Sequence, residues 1–285
     1  HCVEGWDCSD VIIEVPIGHG GNTDASPSDP SYATHAMVDA ALEEFLAPFL
    51  GCATLGGLFI EQSYASVLPE FSNLRRIDQI LHMHFMYDLV ELHAFPKLES
   101  IPGYLFLSEF HDPASWLLTG EFSAISFPSL KTVSSAACWG IALDNLQHAD
   151  GIYFPKLEEV CGNLQVSNLN NAPELSFPEL IRVDGLLNFF TLVTPNFSWL
   201  PALQQAYGLR IQNLSQLHTW DFPETFTIAF DPTGLTQTEV TVENAPNLCA
   251  IDVFDWYFGL NVFADDAFLT LTDLKDCSGW QGGGP

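Results

Sequence analysis

The chain has 285 residues, of which 47% are hydrophobic, so it can bury a large core. Its 36 acidic residues against 8 basic ones give a formal net charge of −28. With no basic stripe to neutralise phosphates, that balance excludes nucleic-acid binding and disfavours anionic membranes. No apolar run has the length of a membrane-spanning helix, so we expect no membrane insertion.

Residues 1–50 are predicted to form an N-terminal cap with a loop and a helix. Residues 18–31 are rich in Gly, Ser, Pro and Asp, which indicates the loop. From His35 to Leu50, apolar side chains recur at helical spacing; they are Met37, Ala41, Leu42, Phe45, Leu46 and Phe49. We predict that this helix covers the open end of the repeats that follow.

Nine apolar–x–apolar triplets follow the cap, at steps of 22 to 36 residues. They begin at Leu58, Leu81, Leu105, Ile141, Leu164, Leu187, Leu209, Val240 and Leu269. A unit this short cannot bury its apolar face alone and must stack on its copies. Alternation places the first and third residues of each triplet inside and the middle one outside.

A second periodicity comes from apolar–proline pairs at steps of 22 to 32 residues. These pairs are Leu68-Pro69, Phe95-Pro96, Phe127-Pro128, Phe154-Pro155, Phe177-Pro178, Leu200-Pro201 and Phe222-Pro223. The two periodicities together predict a mainly β fold, a right-handed parallel β-solenoid. We assign residues 1–285 to one domain, with repeats over 51–277 and the start of a linker at 278–285.

Asparagines follow four of the triplets, at the next inward position of the alternation. They are Asn145, Asn168, Asn213 and Asn244. We expect their amides to be buried and bonded to backbone, which is a structural role. Two segments match the N-glycosylation pattern, Asn196-Phe-Ser198 and Asn213-Leu-Ser215. Asn196 lies in a connection and should carry a glycan, whereas a buried Asn213 should not.

Two long steps mark insertions. The first lies near Glu109–Ile125 and contains His111, Asp112 and Trp116; the second lies near Thr225–Thr236. Insertions in solenoids become loops, often on the binding side, so the first supplies candidate ligand contacts. Packing of these aromatic residues into the core is the alternative.

The seven cysteines contain no Cys-x-x-Cys pair, which excludes zinc-ribbon and thioredoxin sites. Disulfides are predicted where chain ends or adjacent turns meet, at Cys8–Cys52, Cys249–Cys277 and Cys138–Cys161. The first would close a long N-terminal loop and stabilise the fold by about 4 kcal/mol. Cys2 is left over, which points to an intermolecular bond or to a partner outside this chain.

Three segments resemble a known family. The run Leu42-Glu-Glu-Phe-Leu46, with Cys52-Ala-Thr-Leu-Gly-Gly-Leu-Phe-Ile60 after it, looks like the opening of receptor L-domains, and residues 154–168 are similar to their repeat unit. Ser198-Trp-Leu-Pro-Ala-Leu203 is similar to runs in fungal GPI-anchored cell-wall proteins of the L-domain type. The resemblance implies a leucine-rich-repeat-related solenoid at the cell surface, with a lipid anchor or linker beyond residue 285. It brings no catalytic motif.

Metal and enzyme sites are not predicted. His82 and His84 should both point outward from one strand and could seat a metal with a third ligand. No His or Cys is expected in register beside them, where Phe59, Glu61, Phe106 and Ser108 fall. The outer face also lacks an acid–base pair or an activated nucleophile. We therefore predict no metal, no cofactor and no catalytic residue.

Extracellular recognition is the function that remains. The outer face of the middle strands is mostly small and uncharged, and with the inserted loops it could bind a protein or glycan. The candidate contacts are Gln165, Ser167, Asn188, Phe190, Arg210 and Gln212, with His111, Asp112 and Trp116 from the first insertion. Alternatively, the same surface and Cys2 drive self-association into a cell wall or filament.

Overall fold

The computed structural model describes residues 6–16, 33–110, 124–134, 139–146, 149–169, 174–194, 196–229, 239–259, 268–275 and 277. The described chain is mainly β. Its strands are β1 (Trp6–Val15), β2 (Cys52–Ser63), β3 (Arg76–Met86), β4 (Ser100–Ile101), β5 (Tyr104–Ser108), β6 (Ala124–Ser126), β7 (Thr132–Val133), β8 (Gly140–Asp144), β9 (Gly151–Tyr153), β10 (Glu159–Val160), β11 (Asn163–Leu169), β12 (Glu174–Ser176), β13 (Arg182–Leu192), β14 (Gln205–Gln212), β15 (Thr227–Ile228), β16 (Glu239–Glu243) and β17 (Phe268–Thr272). Its helices are α1 (His35–Leu46) and α2 (Ala250–Gly259), and a 3-10 turn at Ala47–Phe49 follows α1.

One large parallel sheet contains fourteen of the described strands, and β6, β9 and β12 form a second, smaller one. The long strands of the large sheet lie side by side in chain order, from β1 and β2 through β3, β5, β8, β11, β13, β14 and β16 to β17. The predicted register is confirmed, because the first residues of successive triplets are direct partners from Leu58 to Leu269. Strand β1 extends the same register, with Ile13 opposite Leu58.

Five of the seven apolar–proline pairs form a corner of the repeat closed by a hydrogen bond; they begin at Phe95, Phe127, Phe154, Phe177 and Leu200. In each Phe-Pro-x-Leu segment the leucine amide donates to the phenylalanine carbonyl three residues earlier, as in Leu157 to Phe154 at 3.3 Å. Proline suits the second position of such a turn because its φ is already fixed there and the turn uses no N–H from it. The local sequence therefore determines the turn at each corner, and this turn directs the phenylalanine side chain into the core.

A stack of phenylalanines runs through the core at these corners. Phe95, Phe127, Phe154 and Phe177 are fully buried, with successive ring centroids 5.1–5.8 Å apart. Phe71 extends the stack at one end, 5.4 Å from Phe95. The centroid spacing lies in the range of favourable offset aromatic pairs. Stacking across repeats thus ties neighbouring turns together inside the core.

Each long strand from β2 onward ends at a residue in the left-handed backbone region. The nine residues are Gln62, Phe85, Glu109, Asn145, Asn168, Thr191, Asn213, Asn244 and Asp273, with φ between 52° and 59°. Four of the nine are asparagines because a short polar side chain tolerates this conformation better than most. One left-handed residue in each repeat therefore ends the long strand and changes the direction of the chain.

None of these four asparagines is buried as predicted. Asn145 and Asn168 are half-buried, and their Nδ2 groups donate to the side chains of Glu109 and Asp144. Asn213 and Asn244 are exposed, and Asn244 Nδ2 donates to Asn213 Oδ1 at 2.7 Å. The alternation of a strand does not continue through a left-handed residue, so an inward position was assigned where the chain already turns outward. Because Asn213 is exposed, its burial no longer excludes a glycan there. Asn196 is half-buried, its Oδ1 accepts from the Ser198 hydroxyl, and its glycosylation remains a prediction.

Helix α1 is shorter than predicted. Pro48 has no N–H to donate back to the carbonyl of Glu44, so the α-helix ends at Leu46 rather than at Leu50. Val38, Leu42 and Leu46 form its buried face, whereas Met37, assigned to that face from the sequence, is 56% exposed.

Contacts with the loops after β2 and β3 hold α1 in place. Asp39 accepts from the amide and hydroxyl of Ser66, at 2.7 Å each, and His35 lies 3.2 Å from Asp88. Ser66 follows β2 and Asp88 follows β3, so the helix packs beside the first repeats of the sheet.

Two C-terminal features differ from the sequence analysis. Helix α2 was not predicted; it lies between β16 and β17, buries Val253, and stacks Trp256 on Phe226 at 5.6 Å. The second insertion begins with strand β15, in which Thr227 pairs with Gln205, so its first residues belong to the sheet rather than to a loop. Residues 230–236 of that insertion lie outside the described residues, as do 111–123 of the first.

Two of the predicted disulfides are confirmed. Cys8 bonds Cys52 with the Cα atoms 6.0 Å apart, and Cys249 bonds Cys277 at 5.6 Å. Cys161 is disulfide-bonded too, but Cys138 lies outside the described residues and their pairing stays a prediction. Cys2 lies outside as well. Neither described helix is long and apolar enough to cross a membrane.

Candidate functional site on the outer sheet face

Outward side chains of the large sheet form two parallel rows, because every strand pair keeps the same register. The first row runs through Phe59, His82, Phe106, Ala142, Gln165, Asn188, Arg210, Thr241 and Thr270. The second row lies two residues further along each strand, through Glu61, His84, Ser108, Asp144, Ser167, Phe190, Gln212, Glu243 and Thr272. Six candidate contacts from the sequence, Gln165, Ser167, Asn188, Phe190, Arg210 and Gln212, are thus brought together, whereas His111, Asp112 and Trp116 lie outside the described residues.

The C-terminal half of these rows is a polar surface bonded within itself. Ser167 is buried, and its hydroxyl donates to Asp144 at 2.7 Å while accepting from Gln165 at 3.2 Å. Arg210 donates to Glu239 at 2.6 Å. Gln212 donates to Glu243 at 2.7 Å. A ligand here would compete with bonds that the protein already makes, which lowers the gain from binding.

The N-terminal half of the rows is aromatic. We define the aromatic patch by its members, Phe59, His82, His84, Phe85, Tyr104, Phe106 and Trp139. His82 stacks between Phe59 and Phe106, with ring centroids 5.6 and 4.7 Å away. Tyr104 lies 5.9 Å from Phe106 and 6.2 Å from Trp139, whose surface is 65% exposed.

Gly140 explains why Trp139 is presented outward. Its φ is +90°, and a Cβ there would lie 2.0 Å from the backbone oxygen of Asn163 on the neighbouring strand. Only glycine fits this close approach and this backbone conformation. The turn at Gly140 therefore places Trp139, the residue before it, at the edge of the patch. Trp139 was not predicted from the sequence, although the predicted register already aligned Phe59, His82 and Phe106.

Burial shifts the acid–base behaviour of two patch residues. Desolvation lowers the pKa of His82 below its ordinary 6.5, against the attraction of the nearby Glu61 carboxylate, and His84 lowers it further. Burial, reinforced by the Asp144 carboxylate, raises the pKa of Tyr104 above 10.0. His82 is therefore neutral and Tyr104 protonated at neutral pH.

Glu61, His82 and His84 also form a set of metal-ligand type. One ligand atom from each lies within 4.8 Å of the other two, and Oε1 of Glu61 is 3.1 Å from Nε2 of His82. No metal site was predicted from the sequence at these two histidines, because no His or Cys is in register beside them. The carboxylate of Glu61, in register with His84, was already placed beside them and is an equally suitable ligand.

A groove of about 550 Å³ lies beside α1, lined by Asp39, Glu43, Glu70, Glu91 and His93, among others. Asp39 is engaged with Ser66, and His93 lies 3.6 Å from Glu91. The excess of carboxylates would repel an anionic ligand.

Comparison with family models, with curated proteins and with solved structures gave no significant match.

Proposed function

We propose that this chain is a right-handed parallel β-solenoid of the receptor L-domain type, capped by α1, that acts outside the cell as a non-enzymatic recognition or adhesion module. Its ligand would be a protein or a glycan. The in-register parallel strands, one repeat apart, support the solenoid. The two disulfides support an oxidising, extracellular setting.

The aromatic patch is the observation that carries the recognition role. Tyr and Trp side chains offer large rigid contact areas and dominate binding energies at protein interfaces. Trp139 is largely exposed yet anchored by Tyr104 and the Gly140 turn, so little freedom is lost when a ligand covers it. This moves the proposed contact surface from the polar middle strands to strands β2, β3, β5 and β8.

A glycan array and a panel of extracellular proteins would test this proposal. After a ligand is found, Trp139→Ala should weaken binding at least about tenfold, as expected for a hot spot. Phe258→Ala is the matched control, because this aromatic residue on α2 is also 65% exposed. Equal affinity of wild type and Trp139→Ala would refute the assignment of the patch.

Self-assembly is the second candidate function, and the sheet ends favour it. Among the described strands, β1 pairs with β2 alone and β17 with β16 alone. Each end strand therefore has one edge without a partner strand in the described chain, and such edges can template pairing with another copy. Head-to-tail stacking would continue the parallel sheet from one molecule to the next.

Light scattering over a range of protein concentrations separates the two functions. Assembly predicts a mass that grows with concentration and filaments visible by electron microscopy. A constant monomer mass would exclude assembly and leave recognition through the patch.

A further inference from the structure

We propose that Glu61, His82 and His84 bind a divalent transition metal, with Zn²⁺ as the ion that suits them best. The site lies on two adjacent strands of the outer face, with Glu61 on β2 opposite His84 on β3. This inference does not depend on the recognition function, since metal binding can be measured without a ligand for the patch.

The geometry is close to that of a bound site. Two ligand atoms on a tetrahedral zinc ion lie about 3.3 Å apart, because each is about 2.0–2.1 Å from the metal. Nε2 of His82 and Oε1 of Glu61 are 3.1 Å apart, and all three ligand atoms lie within 4.8 Å of one another. The ligand nitrogen of His84 lies within 4.8 Å of the other two atoms and would have to move closer to reach the same spacing.

An unsatisfied atom faces this site. Nε2 of His82 is buried and makes no hydrogen bond, although the Glu61 oxygen is within reach, so the ring and the carboxylate do not meet in hydrogen-bond alignment. Buried polar atoms without a partner are uncommon, and an ion that is not present is one cause. A metal between the two atoms would satisfy both.

The surroundings hold the two imidazoles of the proposed site in place. Histidine binds a metal through a ring nitrogen, so a ring held in place by its neighbours is already oriented for binding. Phe59 and Phe106 stack on the two sides of His82, and Phe85 stacks on His84 at 3.8 Å. These contacts restrict both imidazoles and limit water around them, which reduces the entropy lost on binding.

An ion pair between His82 and Glu61 explains the arrangement of these side chains less well than a bound metal does. An ion pair at this distance would include a hydrogen bond, and Nε2 of His82 makes none to Oε1 of Glu61 although the two atoms are 3.1 Å apart. Two histidines and one glutamate are also a ligand set used by zinc sites with a free coordination position. The three residues would leave that position to water or to a group from a ligand.

Isothermal titration of untagged protein with Zn²⁺ tests the proposal. We expect one saturable site per chain in the wild type. Loss of an outer-shell partner already weakens a metal about 10–100-fold, so Glu61→Gln and His84→Gln should each raise Kd at least about tenfold. His218→Gln and Glu179→Gln change exposed residues of the same types outside the set and should leave Kd within about twofold of the wild type.

Cobalt supplies a readout that needs no variant. Co²⁺ in the wild-type protein should give the intense visible bands of tetrahedral coordination, and Zn²⁺ should abolish them by displacement. Absence of a one-to-one site, absence of these bands, or equal Kd values for wild type, Glu61→Gln and His84→Gln would each overturn the proposal. Circular dichroism of every variant confirms that a lost site is not a lost fold.

Discussion

At the residue scale, the molecule depends on nine left-handed residues, one at the end of each successive long strand. Asparagine occupies four of these positions and suits them. Thr191 is among the residues that suit such a position least, since its φ of 53° places a β-branched side chain where it is sterically disfavoured. The fold as a whole imposes that conformation, and the surrounding strands must offset its cost.

Replacing Thr191 with Asn should therefore stabilise the protein. We expect the free energy of unfolding to rise by about 1 kcal/mol, because the left-handed region costs most residues about 1–2 kcal/mol and asparagine less. Urea unfolding measures the change. Thr270→Asn, at an outward position of β17, is the control and should give no gain. Equal effects at both positions would contradict the backbone explanation.

Tyr104 should titrate above its ordinary pKa of 10.0 in the folded protein. A raised pKa in the folded state means that its stability contribution is complete below pH 10 and is lost as the pH rises through the folded-state value. Ultraviolet titration of tyrosinate, compared with Tyr104→Phe, isolates this group. Asp144→Asn should lower the pKa of Tyr104; no change would rule out the Asp144 contribution.

At the scale of elements, the Phe-Pro-x-Leu corner combines a local turn with a long-range stack. The turn hydrogen bond and the proline specify the corner locally. The ring then fits between the rings of the preceding and following repeats, as Phe154 does between Phe127 and Phe177. The repeat is therefore defined by its own sequence but stabilised by its neighbours.

Removing one phenylalanine ring from the middle of the stack should strongly destabilise the protein. Phe154→Ala is expected to lower the free energy of unfolding by about 3–5 kcal/mol, because a fully buried ring is lost and a cavity remains. Chemical denaturation provides the measurement, and Phe258→Ala, which removes an exposed ring, should cost less than about 0.5 kcal/mol. A small effect at Phe154 would argue against the stack as a stabilising element.

At the scale of the whole molecule, the described ends of the large sheet are each held by a disulfide. Cys8 on β1 bonds Cys52 at the start of β2, and Cys249 bonds Cys277 just beyond β17. End repeats have a neighbour on one side only and so gain less from stacking. The covalent links compensate at the places where packing is weakest.

Loss of the N-terminal link should loosen that end of the sheet. The double variant Cys8→Ser, Cys52→Ser is expected to lose about 2–5 kcal/mol of stability. Hydrogen exchange should show faster exchange in β1 and β2 than in β11 and β13, which lie in the middle of the sheet. Uniform protection in the variant would indicate that packing alone secures the end.

The sequence by itself determined the repeat, the strand register, which residues of each triplet point inward, and the pairing of Cys8 with Cys52 and Cys249 with Cys277. Period-two alternation and short-range turn chemistry are local, so they can be read without coordinates. Only the tertiary structure decided which asparagines are exposed, where α1 and α2 pack, and that Trp139 lies beside Tyr104 in the aromatic patch. Those results depend on backbone direction at strand ends and on side chains from different strands, and strand alternation specifies neither.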